Sequence, residues 1–223
     1  MITIAKAYNG YKEKFGIPRQ AGRAESVLTR IVFEPDYRIA EALRGIEQWS
    51  HLWLIWGFSE NKSWSPTVRP PRLGGNKRIG VFATRSPFRP NQLGLSSVRL
   101  LRVEHTENDG TVLIVSGADL MNGTPIYDIK PYLPYADIHS DATSGFAENN
   151  NYKLEVEINE EIANNLPDEL IKNLKEILSE DPRPAYQNEP ERIYGMTYND
   201  LQIRFTVNQQ KLQVISVKPV SPI

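Results

Sequence analysis

The 223-residue chain contains no cysteine. That excludes disulfides, thiolate metal sites and a cysteine nucleophile, and it fits the cytoplasmic location expected here. Histidine is scarce: His51, His105 and His139 are too far apart to make a local metal pair, so no metal is expected. No apolar run approaches the roughly 18 residues that span a bilayer. The N-terminal "MITIAKAYNGYKEKF" lacks the long apolar centre of a signal peptide, so no membrane association is expected. Gly-x-Ser-x-Gly, a Walker loop and a Gly-x-Gly-x-x-Gly turn after a strand are also missing. Carboxylates, arginines and the backbone remain as the means of chemistry.

A further absence is local. Between Asn61 and Arg102 there is no Asp or Glu, yet there are nine Lys or Arg, in a chain of net charge −1. From Lys153 to Glu191 eleven acidic residues face four basic ones. Two readings fit the basic stretch: a solvated face, or a surface for a polyanion such as nucleic acid.

The hydrophobic fraction of 40 % is enough for a real core. Ile2–Ala7 and Val27–Phe33 read as strands. Ile39, Ala40, Leu43 and Ile46 recur at helical spacing, so a short helix is expected, with Asp36 as its N-cap and Gly45 near its end. "HLWLIWGF", His51–Phe58, reads as a buried strand, with Trp53, Ile55 and Trp56 as core. "SENKSWSPTVRPPRLGGN" breaks all periodicity and reads as a long loop. Strand, turn and strand follow, the turn at Asn108–Gly110, and then a second tight turn at Asn122–Gly123. "SGFAENNNYK" is the linker candidate. Beyond it, Leu170, Ile171, Leu174, Ile177 and Leu178 form one helical face, and a hairpin turning at Asn-Gln-Gln closes the chain. The expectation is a mostly β domain, barrel or sandwich, over residues 1–145, with a small α+β unit over 146–223.

Three stretches are more specified than plain architecture requires. Gly16 and Pro18 fix a turn that presents Arg19 and Gln20. "FATRSPFRPNQLGLS" presents Arg85 and Arg89 on a Pro-rich loop, where planar guanidinium forks suit carboxylate or phosphate. In "SGADLMNGTPIYDIKPYLPY", Asp119 precedes the Asn122–Gly123 turn and is placed to bind hydroxyls or an amine. Each also has a plainer reading as a hairpin turn, a solvated arginine pair, or a same-face Asp128–Lys130 pair. By themselves these residues give a β-rich domain with a basic, loop-built anion site, and no named reaction.

Taken together, "YKEKFGIPRQ", "WSHLW", "RPPRLGG", "GVFATRSPFRPN", "LGLS" and "NGTPIYDIKPYLPYAD" resemble the TsaA-like family, also called TrmO, over about residues 1–145. "DPRPAY" resembles the C-terminal domain of its bacterial members. The resemblance implies a single-sheet β-barrel and S-adenosylmethionine-dependent methylation of N6 of threonylcarbamoyladenosine at position 37 of threonine tRNA. It also implies a homodimer with the cofactor site near the subunit interface. Carried over by motif, the cofactor site comprises Pro18, Arg19, Gln20, Ser59, Glu60, Arg85, Leu95, Asp119, Leu120, Met121 and Asn122. Asp128 and Tyr127 are the candidate catalytic groups. Lys62, Arg69, Arg72, Lys77, Arg78, Arg89 and Arg183 are the expected tRNA partners, the last in the C-terminal unit.

Four positions depart from the family pattern. "YNGYKEKF" replaces Ser-Pro-Tyr-x-Glu-Lys-Phe, Ser59 stands where many members have His, Asn122 replaces Asp, and "QLG", with Gln92, replaces Pro-Ile-Gly. Ser59 in particular argues against an obligate proton acceptor at that position. Two other functions remain open at this point: a tRNA- or nucleotide-binding module without catalysis, and a methyltransferase for another modified nucleoside or small molecule.

Overall fold

The computed structural model describes residues 1–147, 152–183 and 189–220. Six strands organise the N-terminal part: β1 (Ala5–Tyr8), β2 (Leu28–Phe33), β3 (His51–Gly57), β6 (Leu93–Thr106), β7 (Gly110–Ser116) and β8 (Pro125–Pro131). Two short strands, β4 (Thr67–Val68) and β5 (Ile79–Gly80), pair separately as a flap. The six pair in the order β1-β2-β7-β6-β3-β8, and β8 pairs back with β1 through Ala5–Ile126 and Lys6–Pro125, so the cycle of pairings closes. Alternation sets what fills it. Leu52, Leu54 and Trp56 of β3 point inward with Ile31, Val98, Leu113, Val115 and Ile126.

Two local features shape this sheet. Gly94 of β6 faces Trp56 across the pair, and a Cβ at Gly94 would overlap the indole ring. On β8 the register against β3 slips. Ile55 pairs with Asp128 and Trp56 with Ile126, which leaves Tyr127 as an extra, bulged residue. Its ring packs over Gly57, where a side chain would collide with it.

The helix expected over Asp36–Gly45 is not α-helical. Three single 3₁₀ turns, Pro35–Tyr37, Ala40–Leu43 and Ile46–Gln48, occupy the stretch, and Gly45 (φ 86°) starts the third instead of ending a helix. Asp36 lies inside the first turn and caps nothing. The strand expected over Val27–Phe33 is β2, in which Ile31 is fully buried. In β3 only Trp56 of the three expected core residues is buried, while Trp53 and Ile55 lie on the outer face.

After a short helix, α1 (Pro134–Asp137), the C-terminal part holds β9 (Glu155–Ile158), α2 (Glu160–Ala163), α3 (Asp168–Ser179), β10 (Tyr194–Tyr198), β11 (Leu201–Asn208) and β12 (Lys211–Pro219). The sheet order is β10-β11-β12-β9, with β9 parallel to β12. The expected helix face is real: Leu174, Ile177 and Leu178 are buried against Ile203, Phe205, Val207, Leu212 and Val214. This second core also takes in Tyr11, Ala24 and Val27 from the start of the chain. Arg23 pairs with Glu180 at 2.7 Å, the Ser26 N–H donates to Glu176 at 2.7 Å, and Tyr11 bridges to Tyr198. Residues 148–151 of the linker candidate lie outside the described residues. No helix among the described residues is long and apolar enough to cross a membrane.

Candidate active site

One cleft of about 700 Å³ opens where the Arg19–Gln20 turn, the end of β3, the Arg85–Arg89 loop and the start of β6 meet. Asp119 lies in its wall, on the segment that follows β7. Ser96 of β6, itself buried, donates its hydroxyl proton to Asp119 Oδ1 at 2.5 Å and accepts from Trp56 Nε1 at 3.0 Å. The single Ser96 proton is therefore committed to the carboxylate, which fixes one oxygen of Asp119. Burial pushes the Asp119 pKa above the usual carboxylate range, while the Ser96 hydroxyl, its own backbone N–H, the nearby Arg85 charge and the Ala21 N–H act the other way.

The rim is cationic. Arg85 donates to the Gln20 carbonyl oxygen at 2.5 Å, and the Gln20 amide donates to the Arg19 carbonyl. One glutamine thus joins two loops that are 65 residues apart. The Gly22 N–H to Gly117 C=O bond, at 2.8 Å, ties the same turn to the end of β7. The walls are apolar: Ile17, Phe58, Leu93, Leu95 and Met121 line them, with Phe58 packed edge-on to Trp56 at 4.3 Å between centroids.

Nine of the eleven expected cofactor residues line this cleft: Pro18, Arg19, Gln20, Ser59, Glu60, Arg85, Leu95, Asp119 and Met121. Two do not. Leu120 is fully buried in the core of the N-terminal sheet. Asn122 turns inward, accepting the Asn9 N–H at 3.0 Å and donating its own N–H to Tyr11 C=O at 2.8 Å. They hold the wall from behind, because residues 119–122 turn tightly and only alternate side chains reach the cleft.

The two catalytic candidates, Asp128 and Tyr127, lie outside the cleft lining. Asp128 pairs with Lys130 at 2.9 Å, and its other oxygen accepts the Ile129 N–H at 2.9 Å. The registers place it in one row with Ile55 and Leu95, two strands from the cleft-lining Leu95, or about 10 Å at ordinary strand spacing. Tyr127 sits behind Gly57 and is not in the lining. Neither is brought to the cleft, because the bulge re-aims Tyr127 and the lysine two residues on claims Asp128.

Of the expected tRNA cations, Lys62, Arg69, Lys77 and Arg78 are exposed around the flap. Arg78 donates to Thr67 Oγ1 at 2.5 Å. The Arg72 side chain is outside the described residues. Arg89 serves its own loop, donating to Val81 and Thr84 carbonyls at 3.1 and 2.8 Å and stacking over Phe82 at 5.4 Å. Arg183 is buried: both its Nε and Nη2 donate to Asp181 at 2.9 Å, and its carbonyl accepts from Arg19 Nη2 at 3.1 Å. It supports the cleft turn and presents no charge to a phosphate. Pro184 to Tyr186 of the same motif lie outside the described residues. Trp53, Phe58, Phe88 and Leu93 also line the cleft and were not foreseen as site residues. The aromatic run at β3 was the only signal for Trp53 and Phe58, and it reads equally as core.

This geometry defines a class: a mostly β protein with a cleft lined by both charged and apolar side chains, beside a basic flap. Residues 7–138 match the family model of the tRNA-methyltransferase O N-terminal domain, and residues 151–220 that of the TrmO C-terminal domain. The chain belongs to the tRNA-methyltransferase O family.

The tRNA (adenine(37)-N6)-methyltransferase of Escherichia coli (strain K12) is 40% identical over 220 residues, covering 94% of this chain and 93% of that protein. A probable S-adenosyl-L-methionine-binding protein of Pyrococcus abyssi is 36% identical over 152 residues, 68% of this chain and 78% of its own length. The crystal structure of TrmO from Pseudomonas aeruginosa superposes with a TM-score of 0.79 at 34% identity, covering 97% of this chain and 95% of that one.

Proposed function

We propose that this chain is an S-adenosylmethionine-dependent methyltransferase acting on N6 of adenosine 37 in tRNA, and that the adenosine carries an N6-threonylcarbamoyl group in a threonine tRNA. The observation that carries the reading is the cleft, where a half-buried carboxylate, a guanidinium and apolar side chains share one lining. The donor's parts suit those groups. Its ribose hydroxyls or amine match Asp119, its carboxylate matches Arg85, and its adenine matches walls such as Leu95 and Met121. When bound, S-adenosylmethionine supplies an electrophilic methyl group.

The residues of the chain orient and enclose. Ser96 aims Asp119, Gln20 holds Arg85, and the Phe58 and Leu93 walls exclude water. In-line placement of the acceptor nitrogen is the main contribution asked of them. A carbamoyl substituent acidifies the remaining N6–H, which lessens the need for a strong base. This agrees with a cleft from which Asp128 and Tyr127 are absent. The substituent's own carboxylate suits the exposed cations of the flap, Lys62, Arg69 and Lys77.

The closed cycle of pairings supports a single-sheet β-barrel as the methyltransferase domain, residues 1–145. The unit over 146–223 is assigned to buttressing the cleft and the tRNA. The chain is further taken to act as a homodimer, a reading supported by the outward exposure of Leu95 and Leu101 on β6. Calorimetric titration with S-adenosylmethionine tests the site. Binding is expected in the wild type and strongly reduced in Arg85→Ala and Asp119→Ala. Full affinity in both variants would place the donor elsewhere.

A further inference from the structure

Three large aromatic side chains stand in solvent around the cleft: Trp64 at 56%, Phe82 at 73% and Phe88 at 42% exposure. Grouped exposed aromatics are unfavourable in a monomer unless something covers them. These three are carried on one braced surface. The Ser65 N–H donates to Phe88 C=O at 3.1 Å, and the Val81 N–H donates to Pro66 C=O at 3.0 Å. The Asn61 amide donates to both Ser63 and Pro87 carbonyls at 2.8 Å. The neighbours of each aromatic are thus bonded to the neighbours of the next. Phe82 is backed on one side by the Arg89 guanidinium, 5.4 Å from its centroid, and Arg89 is itself fixed by two carbonyls.

Around these rings lie the exposed Lys62, Arg69, Lys77 and Arg78, in a stretch with no acidic residue from Asn61 to Arg102. Aromatic faces interleaved with cations on a rigid surface are the chemistry that recognises single-stranded nucleic acid. Phosphates meet the cations, and unpaired bases stack on the rings. A duplex offers only its phosphates to such a surface, since its base faces are already stacked. Phe88 also lines the cleft, so the surface runs into the place where a target base would enter.

We propose that Trp64, Phe82 and Phe88 form a stacking platform for the unpaired RNA nucleotides that flank the target adenosine. The platform rests on the tRNA methyltransferase reading above and deepens it. It separates two tasks on the flap: cations hold the RNA backbone, and aromatics hold the loop open beside the cleft.

The test is a fluorescence titration of the full chain with an RNA stem-loop and with a blunt RNA duplex of equal length. Wild type, Trp64→Ala, Trp64→Phe and Phe82→Ala are compared. The stem-loop should bind both alanine variants at least about fivefold more weakly than wild type, the loss of one stacked base. Duplex affinity, the slope of affinity against salt and S-adenosylmethionine affinity should not change, and Trp64→Phe should recover most of the loss. Equal weakening for stem-loop and duplex, or none for either, overturns the platform. Methyl transfer by the wild type judges the parent reading separately. An active wild type whose Trp64→Ala variant binds the stem-loop normally removes the platform alone. A wild type that loses stem-loop binding on Trp64→Ala yet transfers no methyl keeps the platform and removes the methyltransferase reading.

Discussion

Ser96 has one hydroxyl proton and gives it to Asp119, because the Trp56 N–H already occupies its oxygen. Ser96→Ala leaves a buried indole N–H without an acceptor and frees the carboxylate to turn. The variant should lose about 1–3 kcal/mol of stability in chemical denaturation and bind the methyl donor more weakly. Asp119 gives a pH-dependent expectation. Burial raises its folded pKa above the unfolded value. Its proton-linked contribution is therefore favourable at low pH and is lost as pH rises through the raised pKa. At neutral pH the carboxylate is a net cost to the fold. Asp119→Asn removes that charge and keeps an acceptor for Ser96. It should melt no lower than wild type at pH 7, with the difference shrinking on acidification, while donor binding falls. A variant that melts well below wild type at neutral pH would contradict this.

The cleft residues Arg19, Gln20, Arg85 and Asp119 were legible because rigid Gly- and Pro-containing turns present them. The surroundings of Arg89 and Arg183 were not. Charge is visible in a sequence, but the carbonyls that occupy Arg89 and the burial that hides Arg183 are products of the fold.

At the scale of elements, β3 and β6 set the inner end of the cleft through one tight contact. Gly94→Ala drives a methyl group into the Trp56 ring, whose N–H and face are both in use. Overpacking of this kind costs about 1–3 kcal/mol, and it should appear as a lower denaturation midpoint together with weaker donor binding. Unchanged stability would mean that the indole can move. The strands were readable from period-two patterns and turn residues. The supposed helix at Asp36–Gly45 was misread for a physical reason. Ala40, Leu43 and Ile46 are three apart, a spacing that 3₁₀ turns satisfy as well as an α-helix does. The outer face of β3 was hidden because Trp53 and Ile55 are as apolar as the inner residues, so alternation did not show.

The whole molecule depends on contacts that no local pattern records. Tyr11, Ala24 and Val27 are buried in the core of the C-terminal unit, and Arg19 reaches the Arg183 carbonyl. A chain ended at residue 145 should therefore expose three buried side chains and release the cleft turn. Its thermal unfolding should fall below that of the full chain, and its donor affinity should drop although every cleft-lining residue is present. Equal donor affinity in the shortened chain would show that the C-terminal unit does not buttress the site. The polar linker and the change of pattern are visible in the sequence. The buttressing was not, because Tyr11 and Tyr198 meet only once both units have folded.

The central claim is that this cleft transfers a methyl group to N6 of adenosine 37. The most direct measurement incubates the purified chain with tRNA and isotopically labelled S-adenosylmethionine, then identifies labelled nucleosides by mass spectrometry after digestion. The account predicts one labelled methyl group on N6 of threonylcarbamoyladenosine from position 37, with label lost in Arg85→Ala. Label on another nucleoside, or none with donor bound, would contradict it.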